Sequence, residues 1–171
     1  MAAIVPSDKP YMKTGVLETW KKRIPWLLLL MISATFTGSI ITSFEDALSV
    51  FPILTAFIPM LMDTGGNAGG QASVTIIRGL SLNEIGYSDV PKILWKELRV
   101  AFICGATLSA AYFAKLMLFD RVGIGVAAVV CLTLIAAVAI AKMIGCSLPV
   151  LAQRLGFDPA VMASPFITTI V

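Results

Sequence analysis

Histidine is absent from the 171 residues, cysteine occurs three times, and only 13% of positions are charged. Soluble domains carry about 25% charged residues, so the shortage of charge excludes an ordinary soluble domain. Without histidine, and with Cys104, Cys131 and Cys146 isolated in apolar surroundings, a zinc site or disulfide framework lacks donors at a usable spacing. The cysteines read as small packing residues. No nucleophile stands beside a base and no cofactor fingerprint is present, so an enzyme reading has little to rest on. The alternating segments of about 10 residues that mark a transmembrane barrel are missing. A cleavable leader is not expected at this N-terminus either, because Lys9, Lys13, Glu18, Lys21 and Lys22 all precede the first apolar run.

What the chain does have is apolar length. Hydrophobic residues make up 58% and the mean hydropathy is +0.91. Charge-free runs cover 24–44, 47–62, 64–77, 100–114 and 122–141, and about 20 apolar residues suffice to cross a bilayer as a helix. The expectation is an all-α membrane protein with five transmembrane helices. Residues 1–23 form an interfacial segment ending in the basic triplet Lys21, Lys22 and Arg23, and 24–171 form the membrane domain. Pro25 and Trp26 open span one, which ends near Phe44. Span two runs from about Val50 to Arg78, an amphipathic connector from Ser81 to Leu98, span three from Leu98 to Phe119, and span four from Val122 to Met143. A loop over 144–159 leads to a fifth helix.

Basic residues report orientation. Five precede span one, while Arg78, Lys92, Lys96 and Arg99 flank the second loop and Lys142 and Arg154 the fourth. Only Lys115 and Arg121 fall on the other side. The positive-inside rule then puts the N-terminus in the cytoplasm of a multi-pass cell-membrane protein. The net charge of +3 is explained by these flanks and calls for no nucleic acid. From Pro159 the fifth helix reaches only about 20 Å before Val171, so the natural protein is expected to continue.

Within span two the stretch PMLMDTGGNAGGQASVTIIRGL places Asp63 in an apolar segment, where a charge costs about 2.5 to 3.5 kcal/mol. Asp63, Thr64, Asn67 and Gln71 offer side-chain oxygens, Gly65, Gly66, Gly69 and Gly70 permit close approach or non-helical backbone, and Pro59 removes a helical hydrogen bond. These features predict a locally broken helix facing a cavity. The competing reading has Asp63 or Thr64 capping a half-helix, the glycines serving helix packing, and Thr64 and Gln71 acting as interhelical hydrogen-bond partners. A phosphate loop is disfavoured, since the Gly-Lys-Ser/Thr ending is absent and an acid stands where a phosphate would sit. The oxygen inventory suits a hard cation such as Mg²⁺ or Ca²⁺.

A second polar cluster lies in LGFDPAVMASPFITTI. Asp158 and Pro159 make a helix start. Ser164 with Thr168, and Pro165 with Thr169, stack on one helical face, either lining a path or bonding back to their own helix. Ser33, Thr35, Thr37, Ser39, Thr42 and Ser43 give span one a hydroxyl-rich stretch for packing or for a pore. Glu45 and Asp46 at its end either concentrate cations at a mouth or form a solvated loop.

The GGNAGGQ core with the following Arg78, and the later GFDPAVMASPFITTI, resemble the transmembrane domain of the MgtE family of magnesium channels and transporters. The similarity covers about 23–171. It implies a homodimer with five helices per subunit and an ion path near the dimer axis, lined mainly by helices two and five. It also implies a hydrated Mg²⁺ as the transported ion, held by an acid of helix five that would follow Val171. Ser164, Thr168, Asn67 and the glycines of helix two would be its neighbours, and Asp63 is a further metal candidate. Many family members carry an acidic cytosolic domain, paired CBS domains and a plug helix ahead of the first span. Only about 23 residues precede it here, so gating is expected to lie outside this chain, with room for a separate regulatory protein. The readings in competition with a Mg²⁺ channel or transporter are a Na⁺- or H⁺-coupled divalent cation exchanger and a non-transporting membrane scaffold.

Overall fold

The computed structural model describes residues 14–159 together with Ile167 and Ile170. Regular structure among the described residues is helical: α1 spans Val16–Ser43, α2 Glu45–Val50, α3 Ile58–Ser81, α4 Val90–Lys115 and α5 Ile124–Arg154. A 3₁₀ segment over Pro52–Phe57 leads into α3, another over Tyr87–Asp89 into α4, and a π-helical turn over Leu116–Asp120 closes α4.

The ends of these helices follow from their residues. Pro lies in the first turn of both α3 and α4, where its missing N–H would be unpaired anyway. Helix α3 stops at Asn83, with φ of 55°: Asn83 N–H donates to Leu80 O and Glu84 N–H to Gly79 O, a Schellman ending with Asn in the left-handed position. Helix α5 stops the same way at Gly156, φ 77°, through Gly156 N–H to Gln153 O and Phe157 N–H to Ala152 O.

Helix α5 is the centre, with α3 and α4 packed on it. Three contacts fix α4 antiparallel to α5: Ser109 with Cys131, Gly105 with Ile135 and Glu97 with Lys142. Positions fall along α4 as they rise along α5, so Val100 and Ala141, where both charge-free runs end, stand level. Helix α3 runs parallel to α5. Phe57 clusters with Ala127 and Val130, Gly69 meets Ala141 and Gly145, and Ala72, Ile76 and Leu80 join Cys146 and Val150. Arg78, Lys92, Lys96, Arg99 and Arg154 thereby gather at one end of the three helices.

Several expectations change. Pro25 does not open a span but lies inside α1, which runs unbroken through the boundary between 23 and 24. The expected loop over 144–159 is helical as far as Arg154, with Pro149 inside α5. Lys142 does not end the helix because Glu97 meets its charge. The connector over 81–98 reduces to a short turn before α4. Among the described residues three helical units are long and apolar enough to cross a membrane, Val16–Ser43, Tyr87–Asp120 and Ile124–Arg154. Helix α3 has 24 residues, long enough at 1.5 Å each, but it carries the polar and glycine-rich stretch.

Candidate polar groove on helix α3

The expected break in span two is not where the glycines are. Helix α3 is continuous from Ile58 to Ser81, and irregular backbone precedes it, at Phe51 and the 3₁₀ segment Pro52–Phe57. Pro59 sits in the first turn and disturbs nothing, while two of the glycines are taken up by packing. A Cβ on Gly69 would come 2.8 Å from Ala141 O, and one on Gly145 would come 2.2 Å from Gly69 O. Helices α3 and α5 therefore touch backbone to backbone, and Gly65 is buried on the same side.

On its other face α3 lines a groove of about 1000 Å³, bordered by Asp63, Gly66, Asn67, Gly70 and Gln71, with Ser73 and Thr75 further along. Asp63, Asn67 and Gln71 are spaced i, i+4 and i+8, which sets them on one helical stripe. All three are exposed to the groove. Asn67 donates Nδ2 to Asp63 Oδ2 at 3.1 Å, so the amide holds the carboxylate while its own Oδ1 remains an acceptor. No heavy atom lies within 4 Å of where a Cβ on Gly70 would stand, which leaves the groove wall clear between the two amides.

The depth of the stripe follows from the packing. Gly69 faces Ala141 and Gly145, level with exposed Arg99, where the charge-free run of α4 ends. Asp63, six residues earlier on a parallel helix, lies roughly 6 to 9 Å inside that boundary. Gln71 and Thr75 lie beyond it, toward the basic end. The groove thus leads from apolar depth to the charged margin.

Other expected residues sit elsewhere. Thr64 donates to Met60 Sδ at 3.7 Å and is not on the groove. Asp158 is exposed and Pro159 half-buried, and neither borders it. Ser164, Pro165, Thr168 and Thr169 lie outside the described residues. Ile167 is buried and borders the groove beside Gly69. The hydroxyls of α1 bond back to their own helix, Thr35 to Met31 O, Ser39 to Thr35 O and Thr42 to Gly38 O. Helix α1 has no buried residue, so these bonds show neither the packing on neighbours nor the pore lining expected of the stretch.

Two features escaped the sequence reading. Lys142 Nζ meets Glu97 Oε2 at 3.0 Å with the side chains 8% and 15% exposed, so Lys142 is a buried partner and not a loop flank. A lone Lys followed by the further apolar stretch MIGCSLPVLA was the available signal. Ser73 is the second: its Oγ is buried without a hydrogen-bond partner among the described residues, in the wall of the groove.

Comparison with known proteins gives consistent results. The profile of the family described as MgtE, divalent cation transporter, matches residues 58–171, beginning at the first residue of α3. The chain is 32% identical to the magnesium transporter MgtE of Thermus thermophilus, over 99% of this chain and 37% of that protein. It is 35% identical to the magnesium transporter MgtE of Bacillus subtilis, over 87% of this chain and 33% of that one. For the magnesium transporter MgtE of Enterococcus faecalis the figures are 30%, 90% and 34%. The chain spans about a third of the length of the curated relatives it matches.

Proposed function

Because the chain belongs to the MgtE family of divalent cation transporters, we propose that it carries Mg²⁺ across the cell membrane along the groove of α3. The observation that carries this reading is the Asp63–Asn67 pair, hydrogen-bonded at 3.1 Å and open to a groove that starts at apolar depth. Mg²⁺ gives up its water reluctantly and usually keeps several ligand waters. Those waters donate hydrogen bonds, and Asp63, Asn67 Oδ1 and Gln71 are acceptors set along one stripe. The carboxylate supplies attraction and the amides supply orientation without further charge, so binding stays weak enough for exit.

In this reading α1, α3, α4 and α5 are four of five spans and the segment from Pro159 is the fifth. Two copies pair about an axis near the groove, and the N-terminus is cytoplasmic. Ser164 and Thr168 complete the ion path from the fifth span, and any gating acts through parts beyond 24–171 or a separate regulator.

Mg²⁺ uptake into proteoliposomes holding the full-length protein tests the proposal. Wild type is expected to fill the vesicles, and Asp63→Asn to lower the initial rate at least about tenfold. Wild-type flux from both Asp63→Asn and Asn67→Ala would remove α3 from the path. Flux that requires a Na⁺ or proton gradient would instead identify a coupled exchanger, and no flux in wild type would leave only a scaffold.

A further inference from the structure

The first turns of α4 lie past the charge-free runs of α4 and α5, at the basic end of the helices. Lys92, Trp95, Lys96 and Arg99 follow one another at i, i+3, i+4 and i+7, which makes a single stripe. All four are exposed, Trp95 by 61%. The rotation of the helix is fixed from the other side, where Ile93 and Leu94 pack on the cluster of Ala72, Ile76 and Cys146 and Glu97 holds Lys142. The stripe cannot turn inward.

Its charges have no acidic partner among the described residues. Among the described residues the ion pairs join Lys22 to Glu18, Lys115 to Asp120 and Lys142 to Glu97, and none includes Lys92, Lys96 or Arg99. Arg99 instead lies along its own helix, with Cζ 5.7 Å from the centre of the Trp95 ring and Nε donating to Trp95 O at 3.4 Å. Arg99 stands level with Ala141, so the stripe begins where the apolar depth ends and extends about 10 Å further along the axis. A bilayer adds about 5 to 8 Å of headgroup layer to each side of its hydrocarbon core.

We infer that this face of α4 docks anionic phospholipid headgroups. Phosphodiester oxygens accept hydrogen bonds from Lys92, Lys96 and Arg99, and the Trp95 indole occupies the boundary between headgroup and acyl chain, where its apolar body and polar N–H are both met. Three points favour lipid as the occupant: the matched depth, the single sign of charge, and the lysines, which are depleted in the cores of protein interfaces. Each basic side chain near an anionic surface contributes roughly a fivefold preference, an effect that salt screens. The inference needs only the membrane placement of α4 and holds whichever ion the groove carries.

Trp95 is a built-in reporter. Trp20→Phe with Trp26→Phe leaves it as the sole tryptophan of the chain's three. In nanodiscs holding this variant, a brominated phosphatidylglycerol at one-tenth mole fraction is expected to quench Trp95 at least about twice as strongly as brominated phosphatidylcholine at the same fraction. The excess is expected to vanish with Lys92→Gln/Lys96→Gln and to shrink at 0.5 M salt, while quenching by phosphatidylcholine persists and reports an inserted protein. Equal quenching by the two lipids in wild type would overturn the inference. So would the absence of quenching by either, which would mean that another protein surface or a second copy covers the stripe.

Discussion

Gly145 and Gly70 are the same residue in opposite situations, and they separate packing from path. A methyl on Gly145 would meet the carbonyl oxygen of Gly69 at 2.2 Å, and because the obstacle is backbone, the two helices must part. Gly145→Ala is expected to cost about 1 to 3 kcal/mol, read as a lower melting temperature of the detergent-solubilised protein. Gly70→Ala meets no heavy atom within 4 Å and gains up to about 1 kcal/mol of helix propensity, so its melting temperature is expected to hold or rise while its methyl narrows the groove and slows Mg²⁺ uptake. Asp63→Asn separates the same two properties: the shape of the side chain is kept, so melting should not fall, whereas uptake should. A drop in melting temperature for Asp63→Asn would make the carboxylate a structural group. At this scale the sequence was readable where the signal was local, as at Asp63 and Asn67, four residues apart. It was unreadable for the glycines, because which of them faces a neighbour depends on the phase of α3 against α5, and only packing sets that phase.

Helix α4 is tied to α5 by two directional links. Near one end Ser109 Oγ donates to Cys131 O at 2.9 Å, and toward the other Lys142 pairs with Glu97 at 3.0 Å. Between them lie Ala101 and Gly105, residues too small to fix an axial register by shape alone. Breaking a buried pair leaves a charge without compensation and costs about 3 to 5 kcal/mol, whereas replacing both partners with apolar groups of similar volume is often neutral. Glu97→Met and Lys142→Met are therefore each expected to reduce the yield and melting temperature of folded protein sharply, and the double variant to recover most of the loss. Thermal melting of the three purified variants checks this, and additive single effects would deny the coupling. The helices themselves were legible from apolar runs, but their ends were not. Pro25, Lys142 and Pro149 look like boundaries in one dimension, and the chain runs through all three as helix; for Lys142 the partner that allows its burial, Glu97, is 45 positions away.

For the whole molecule, the alignment of the charge-free runs gives the groove a direction. Val100 and Ala141 stand level, Asp63 lies inside that level, and Gln71 and Thr75 lie outside it, on the side that gathers Arg78, Lys92, Lys96 and Arg99. The composition announced a membrane protein and the oxygen-rich stretch announced a cation, yet neither could say that the stretch would be an unbroken helix opening toward one margin, because that depends on three helices being placed side by side. In the proposed orientation, with the basic margin facing the cytoplasm as the positive-inside rule expects, the groove is a cytoplasmic vestibule. A thiol at Gln71 reports this directly. In a background without Cys104, Cys131 and Cys146, Gln71→Cys is expected to react with a membrane-impermeant thiol reagent in inside-out vesicles and to be protected in right-side-out ones, with millimolar Mg²⁺ slowing the reaction if the ion occupies the stripe. Preferential labelling from the outside would reverse the orientation of the bundle, and equal protection on both sides would close the groove to water and deny it to a hydrated ion.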